Sequence, residues 1–292
     1  MQNSSVEDTN YKANSIYING KLTDFTIPKI MGILNVTENS FYADSRLKSD
    51  SELLNMVEKH LTEGADYLDV GGFSTRPGAE LVEETIEQKR IESALLTIKK
   101  SFPEAILSVD TFRGSVAQIA IDGGAAIIND ISGFQFDASL LEVISKSQVA
   151  YVLMHIASSF EKMHEVTQNR NIDISTYFDI NKKVNDYFMS KIADLQSNNI
   201  KNIILDPGFG FSKTMEENHY LLHHLDAFKT FNLPILVGVS RKSMIYKKLG
   251  ISPENALNGT TALHTIALMK GASILRVHDV QPCKEVIDLI YR

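Results

Sequence analysis

Eight short apolar runs, spread along nearly the whole chain, each end in glycine, a polar residue or a charged residue. They read KIMGILN, DYLDVGG, AILSVD, AAIIND, VAYVLMH, KNIILD, PILVGVS and SILRVHD. Segments with helical periodicity lie between most of them, and alternating strands and helices are typical of a parallel sheet. Eight such units can close on themselves, so the sequence predicts an α/β fold of the (β/α)8, or TIM-barrel, type.

The ends of these runs carry the candidate site, because a closed (β/α)8 barrel builds its active site at the carboxyl ends of its strands. The polar groups there are Asn35, Ser74, Thr75, Arg76, Asp110, Asn129, Asp130, His155, Asp206, Ser240 to Ser243, Arg276, His278 and Asp279. If they converge, carboxylates and an amide form one half of the site, and Arg76, Lys242, Arg276 and His278 form a cationic half. This pattern predicts a pocket for a ligand with several N–H donors beside a clamp for an anion.

The chain of 292 residues fits one barrel of about 250 residues with a short extension. Residues 1–28 are interpreted as an N-terminal extension with a hairpin turning at Asn19-Gly20, which we expect to cover the bottom of the barrel. Residues 29–292 are interpreted as a single barrel domain. Asp50 or Ser51 is expected to cap the first helix of the barrel.

Composition excludes several classes of function. The net charge of −7 and the pI of about 5.6 argue against general nucleic-acid binding. The single cysteine, Cys283, allows no intrachain disulfide and favours a reducing compartment. No apolar run approaches the roughly 20 residues that a membrane-spanning helix needs, and the N-terminal MQNSSVEDTN lacks a signal pattern. We therefore expect a cytoplasmic protein with no membrane partner.

Three local motifs point toward or away from particular chemistry. The segment SRKS at Ser240 to Ser243 directly follows a strand and opens a helix, a position that favours phosphate. GFGFSK, after Asp206, lacks the third glycine of a dinucleotide motif and the ending of a P-loop, so it is interpreted as a turn that presents Asp206. His219 and His223 lie four residues apart without a third ligand, which argues against a metal site.

Together these segments resemble the dihydropteroate synthases, which join a pterin to p-aminobenzoate. The resemblance covers Lys29 to the C-terminus and rests on MGILNVTENSF, DVGGFSTRPGA, SVDTFRGSVA, IINDISG, LMH, LDPGFGFSKT, VGVSRKS and GTTALHTIALMKGASILRVHDV, in that order. It implies condensation of 6-hydroxymethyl-7,8-dihydropterin diphosphate with p-aminobenzoate, giving 7,8-dihydropteroate and diphosphate. It also implies a Mg²⁺ cofactor and a homodimer, for which the apolar face of Ala262, Ile266 and Met269 is suitable.

The resemblance implies a role for each matching residue. The implied catalytic residues are Asp110, Lys242, Arg276 and His278. The implied pterin ligands are Asp110, Asn129, Met154, Asp206, Phe211, Gly238, Lys242 and Arg276. The implied diphosphate ligands are Asn35, Arg76, Arg276 and His278, with Asn35 also holding Mg²⁺. The implied p-aminobenzoate contacts are Phe41, Thr75, Pro77, Arg241 and Ser243.

The chain departs from the family pattern mainly in two loops. Glu38 and Asn39 replace proline and aspartate, Tyr42-Ala43-Asp44 replaces serine-aspartate-glycine, and Phe73 stands where glutamate is usual. None of these changes removes an implied pterin or diphosphate ligand. Two other functions remain open at this stage. One is a pterin-binding methyltransferase with a corrinoid partner, and the other is a pterin-binding barrel without catalytic activity.

Overall fold

A parallel barrel with a hairpin across its bottom forms the fold, as the sequence predicts. The computed structural model describes residues 14–36, 43–73, 82–158 and 175–292, and the side chains of all of these except 43–49 and 175–178. The hairpin consists of β1 (Ser15–Ile18) and β2 (Lys21–Asp24). The barrel strands are β3 (Lys29–Asn35), β4 (Tyr67–Gly71), β5 (Leu107–Asp110), β6 (Ile127–Asp130), β7 (Ala150–Met154), β8 (Ile203–Asp206), β9 (Leu236–Val237) and β10 (Ile274–Val277).

The eight barrel strands pair in the order β8-β7-β6-β5-β4-β3-β10-β9, and every pair is parallel. A parallel bridge between Leu205 and Ile235 joins the two ends of this sheet. The strands are therefore arranged as a closed hoop, in which all carboxyl ends point to the same rim.

Helices surround the hoop on the outside. They are α1 (Ala43–Thr62), α2 (Glu84–Ser101), α3 (Gly114–Asp122), α4 (Ser139–Ser145), α5 (Ser175–Ser197), α6 (Met215–His223), α7 (Ser243–Leu249), α8 (Leu257–Met269) and α9 (Val280–Tyr291). Short 3-10 helices occupy Leu225–Phe231 and Pro253–Asn255. The expected start of α1 at Asp50 or Ser51 was wrong, because the segment from Ala43 contains no glycine or proline and continues the helix backward. In the described part of the chain no helix is long and apolar enough to cross a bilayer.

Side-chain alternation divides the barrel interior into an apolar lower layer and a polar upper layer. The lower layer contains Met31, Tyr67, Ile127, Val152, Ile204, Leu236 and Ile274, which pack against Ile16, Ile18 and Phe25 of the hairpin region. The turn at Asn19 and Gly20 has positive φ at both residues, the geometry of a two-residue hairpin. The hairpin thus closes the bottom, as expected, and leaves the upper rim open.

Candidate active site

A cleft of about 590 Å³ opens at the carboxyl ends of the strands. The residues that line it come from β3, β5, β10 and the loops after β4, β8 and β9. Other lining residues come from α7 and the 3-10 helix Pro253–Asn255. They are Ile33, Asn35, Phe73, Asp110, Gly210, Phe211, Gly238, Ser240, Arg241, Lys242, Ser243, Tyr246, Pro253, Glu254, Arg276 and His278. The cleft therefore brings together residues from position 35 to position 278, as the strand-end argument predicts.

The floor of the cleft is an ion cluster built around Arg276. Its Nε donates to Asp69 Oδ2 at 2.6 Å and one terminal nitrogen donates to Asp110 Oδ2 at 2.8 Å. Asp69 also accepts from Ser108 Oγ at 2.6 Å and from Asn129 Nδ2 at 3.0 Å. Burial alone would lower the pKa of Arg276, but the two carboxylates raise it. The guanidinium is thus a fixed positive charge beneath the cleft.

Asp110 has unused hydrogen-bonding capacity at this floor. Its Oδ1 is buried and has no hydrogen-bond partner among the described residues, while Oδ2 is held by Arg276. Burial raises the pKa of Asp110 to about 7, even though Arg276 lowers it, and the nearby charge of Asp69 adds to the increase. A buried carboxylate oxygen without a partner carries a desolvation cost that a ligand N–H can remove.

Asp206 ends β8 beneath a tight loop. Its Oδ1 accepts the backbone N–H of Gly208 at 2.7 Å. Gly208 has a φ of +72°, and a Cβ there would lie 2.1 Å from the backbone oxygen of His155, so only glycine fits. Burial raises the pKa of Asp206, and the charge of Lys242 is the largest effect that opposes this rise. Asp206, Asn129 and Met154 are buried and are not among the described residues that line the cleft. Met154 lies in the apolar cluster of Phe73, Phe112, Ile131, Ile156 and Phe211.

Lys242 lies between the loop after β8 and the strand end of β9. Its ammonium donates to the backbone oxygen of Phe209 and lies 4.7 Å from the centre of the Phe211 ring. A Cβ on Gly210 would approach Lys242 Cδ to 3.1 Å, so the glycine leaves room for the lysine stem. Burial lowers the pKa of Lys242 to about 8, against the opposing effect of Asp206. A flat polar ligand in the cleft would therefore meet a cation, an aromatic face and two acids.

The upper rim is organised by Ser240 and Arg241. Ser240 Oγ lies 3.1 Å from His278 Nδ1 and accepts the backbone N–H of His278 at 3.2 Å. Arg241 has a φ of +54°, and its backbone N–H donates to Thr260 Oγ1 at 3.0 Å. Its guanidinium binds both oxygens of Asp279 at 2.8 and 2.9 Å, so Arg241 borders the cleft while joining two strand ends. Ser243 lines the same side of the cleft.

Two predicted strand-end residues, Asp130 and His155, point away from the cleft. Asp130 faces outward, where it accepts from Tyr151 Oη at 2.6 Å and from the backbone N–H groups of Ser132 and Phe134. His155 is buried with its ring edge-on to Tyr187 at 5.0 Å. Burial and neighbouring Lys213 lower the pKa of His155 to about 2, so it is neutral.

Four implied ligands, Phe41, Thr75, Arg76 and Pro77, lie outside the described residues.

Two buried charged residues near the site did not emerge from the strand-end argument. Asp69 lies inside β4 rather than at its end, and Lys213 follows the loop after β8. The signal for Asp69 was a carboxylate at an inward position of an apolar strand, two residues before Gly71. Lys213 is 2% exposed although lysine is rarely buried without partners, and no sequence pattern distinguishes it from a surface lysine.

The described residues contain no group of three or more His, Cys, Asp or Glu side chains arranged to hold a metal ion. Asn35, the predicted metal ligand, ends β3 on the wall of the cleft and is exposed. Its amide oxygen suits a hard cation that takes its other ligands from phosphate and water, which is the usual behaviour of Mg²⁺. The donor set therefore fits Mg²⁺ bound together with a phosphorylated ligand and does not fit a permanent metal cage.

Comparison with known proteins gives a consistent result. Residues 31–278 match the model of the family described as pterin binding enzyme. The dihydropteroate synthase of Escherichia coli is 37% identical over 277 residues, covering 94% of this chain and 95% of that protein. A bifunctional dihydropteroate synthase/dihydropteroate reductase of Helicobacter pylori is 39% identical over 265 residues, and the match spans 90% of this chain but 66% of that protein.

The structural comparison agrees with the sequence comparison. A crystal structure of Yersinia pestis dihydropteroate synthase with a sulfonamide drug superimposes with a TM-score of 0.83 at 34% identity. The superposition covers 94% of this chain and 97% of that one. The two chains therefore share the same fold over most of their length.

Proposed function

The chain belongs to the pterin-binding enzymes and, among them, to the dihydropteroate synthases, and we propose that the cleft at the carboxyl ends of its strands carries out their reaction. The substrates are 6-hydroxymethyl-7,8-dihydropterin diphosphate and p-aminobenzoate. The products are 7,8-dihydropteroate and diphosphate. One observation carries the proposal: a buried oxygen of Asp110, which has no hydrogen-bond partner among the described residues, lies on the same floor as the guanidinium of Arg276.

The pterin is held by the inner half of the cleft. We assign Oδ1 of Asp110 to a ring N–H of the pterin, and Asp206 with Asn129 to its aminopyrimidine edge. Lys242 is assigned to the ring carbonyl and a ring nitrogen. Arg276, Phe211, Gly238 and Met154 complete the slot. A planar heterocycle with alternating donors and acceptors matches these groups in number and type.

The diphosphate is held by the outer half. Arg276 supplies a permanent positive charge, and His278, oriented by Ser240, supplies a ring nitrogen at the rim. Asn35 is assigned as the one protein ligand of Mg²⁺, and Arg76 is assigned to the same anion. Mg²⁺, when bound, would neutralise charge on the diphosphate as it leaves.

The reaction needs no nucleophilic side chain. The C–O bond to the diphosphate breaks, the electron pair leaves with the diphosphate, and positive charge develops on the pterin methylene group. The carboxylate of Asp110 faces that charge, while Arg276 and His278 face the departing anion. The aryl amine of p-aminobenzoate then forms the C–N bond and loses a proton. Ser243, Arg241, Phe41, Thr75 and Pro77 are assigned to the border of the p-aminobenzoate pocket.

Product formation tests this proposal directly. Purified protein with both substrates and Mg²⁺ should release dihydropteroate and diphosphate in equal amounts, and chelation by EDTA should abolish most of the rate. Release of diphosphate that depends on p-aminobenzoate also separates this activity from a methyltransferase, which needs no diphosphate clamp. An Asp226→Asn variant, changed at an exposed acid remote from the cleft, serves as the matched control. Pterin binding without turnover would support the non-catalytic alternative instead.

We further propose that the protein is a homodimer that buries an apolar face of α8 and α9. Met269 is 74% exposed on α8, and Leu289 is 87% exposed on α9. Tyr291 Oη donates to the backbone oxygen of Leu268 at 3.2 Å and links the two helices. Exposed large apolar side chains on adjacent helices indicate an interface.

The dimer is tested by sedimentation velocity. The unmodified protein should sediment as a dimer, and the double substitution Met269→Asp and Leu289→Asp should give a monomer. Leu96→Asp, at a side chain 72% exposed on α2, is the control and should remain dimeric. A monomeric unmodified protein at micromolar concentration would rule out this interface.

A further inference from the structure

A fully buried lysine lies beneath the loop that presents Asp206. The Lys213 ammonium donates to the backbone oxygens of His155 at 3.3 Å, Gly208 at 3.0 Å and Phe211 at 3.1 Å. An ammonium carries three N–H donors, so all three are used. Its acceptors come from the end of β7 and from both ends of the loop after β8. Lys213 therefore connects two neighbouring strand ends from below.

The loop that Lys213 holds, residues 208 to 211, contacts both Asp206 and Lys242. The N–H of Gly208 binds Asp206, and the backbone oxygen of the same residue binds Lys213. The backbone oxygen of Phe209 accepts from Lys242, and the Phe211 ring lies under that lysine. A displacement of this loop would therefore move both the acid and the cation proposed to hold the pterin.

Charge provides a second connection between Lys213 and the cleft. Among the described residues, four titratable groups face it: Asp206 on β8, Lys242 after β9, Glu217 on α6 and the ring of His155. Glu217 accepts the backbone N–H of Thr214 at 2.7 Å and caps α6, and His155 is neutral. Burial lowers the pKa of Lys213 to about 7, while Asp206 raises it. Lys213 lowers the pKa of Asp206, after the larger effects of Lys242 and of the Gly208 N–H.

We propose that Lys213 is a positioning residue for pterin recognition. It holds the loop from Gly208 to Phe211 in its binding conformation and stabilises the negative charge of Asp206, to which a donor-rich ligand binds. The inference deepens the proposed function and depends on its assignment of Asp206 to the pterin. A methionine of similar length would keep the packing but lose the donors and the charge, whereas an arginine would keep the charge but not the tetrahedral fit to three carbonyls.

The test is a pH profile of kcat/KM for the pterin diphosphate. In Lys213→Met we expect this value to fall about tenfold to a hundredfold, with a much smaller change in KM for p-aminobenzoate. Loss of a positive charge raises the pKa of Asp206, so the acid limb of the profile should move to higher pH, on the order of one unit. Lys213→Arg should raise KM for the pterin substrate while the acid limb stays in place.

Lys99→Met is the matched control. Lys99 also donates to a backbone oxygen, that of Ala105 at 2.8 Å, but at the opposite end of the barrel. The Lys99→Met variant should have the same kinetics as the unmodified protein. Lys213→Met with unmodified kinetics, or with equal losses for both substrates and an unmoved acid limb, would overturn the inference. If Lys213→Met does not fold, a KM for the pterin substrate in Lys213→Arg equal to that of the unmodified protein would overturn the inference. If the unmodified protein itself forms no product, the proposed function is refuted instead.

Discussion

Replacing Arg276 with methionine should lower kcat/KM for the pterin diphosphate by about a hundredfold to a thousandfold, the range expected when a preorganised charge is lost from a transition state. The guanidinium joins Asp69 at 2.6 Å and Asp110 at 2.8 Å, and faces the position proposed for the diphosphate. Its removal leaves two buried carboxylates without their cation. We therefore also expect the free energy of unfolding to fall by about 3–5 kcal/mol.

The two effects of this substitution can be separated. Arg276→Lys keeps a charge, but a compact ammonium cannot reproduce the planar fork that binds both acids, so its activity should remain well below normal. Loss of Arg276 removes the charge that lowers the pKa of Asp110, so the pKa of this carboxyl should rise further. Arg292→Met, at an exposed terminal arginine paired with Asp288, is the control. A folded Arg276→Met protein with near-normal turnover would refute the assigned role.

Asp69→Leu should strongly destabilise the protein at the floor of the cleft. Asp69 is fully buried and accepts from Arg276, Ser108 and Asn129. Leucine removes every acceptor and leaves part of the Arg276 charge unpaired, which predicts a loss of about 3–5 kcal/mol in the free energy of unfolding. Urea unfolding at neutral pH measures this value, and activity of the folded fraction should also fall because Arg276 loses one of its two anchors.

Asp69→Asn distinguishes charge from hydrogen bonding at this position. The amide oxygen can still accept from Arg276 and Asn129, and the Ser108 hydroxyl can turn to accept from the new N–H₂ group. Stability should therefore fall less than in Asp69→Leu. The charge of Asp69 raises the pKa of Asp110, so its removal should lower the pKa of that carboxyl. Identical stability losses in the two variants would show that charge alone determines the effect, while Asp226→Asn should change neither property.

The fold and the position of the site could be predicted because both follow from short-range patterns. An apolar run that ends in a polar residue identifies the strand and its carboxyl end together, and barrel closure then brings Asp110, Asp206, Lys242 and Arg276 to one rim. The hairpin at Asn19-Gly20 was predictable for the same reason, since the turn depends on two adjacent residues.

The remaining features depend on which face of a strand a residue occupies and on contacts between distant segments. Asp130 was placed with the candidate site because it ends a strand, but alternation turns it outward, one position after the inward Asn129. Asp69 was missed because it lies inside its strand. The engagement of Arg241 with Asp279, 38 positions later, could not be read from SRKS alone. The side chains of the first two loops lie outside the described residues, so those assignments remain predictions.

The barrel closes between β8 and β9, and this is also the place where it can open most easily. β9 is a two-residue strand, and a bridge between Leu205 and Ile235 is its connection to β8 among the described residues. The pairing between β8 and β9 has few backbone hydrogen bonds, and local unfolding is easiest where few such bonds must break. Asp206 and Lys242 stand on opposite sides of it. Local opening of the barrel between β8 and β9 would therefore change the distance between the two residues that we propose hold the pterin, and a bound pterin would oppose that opening.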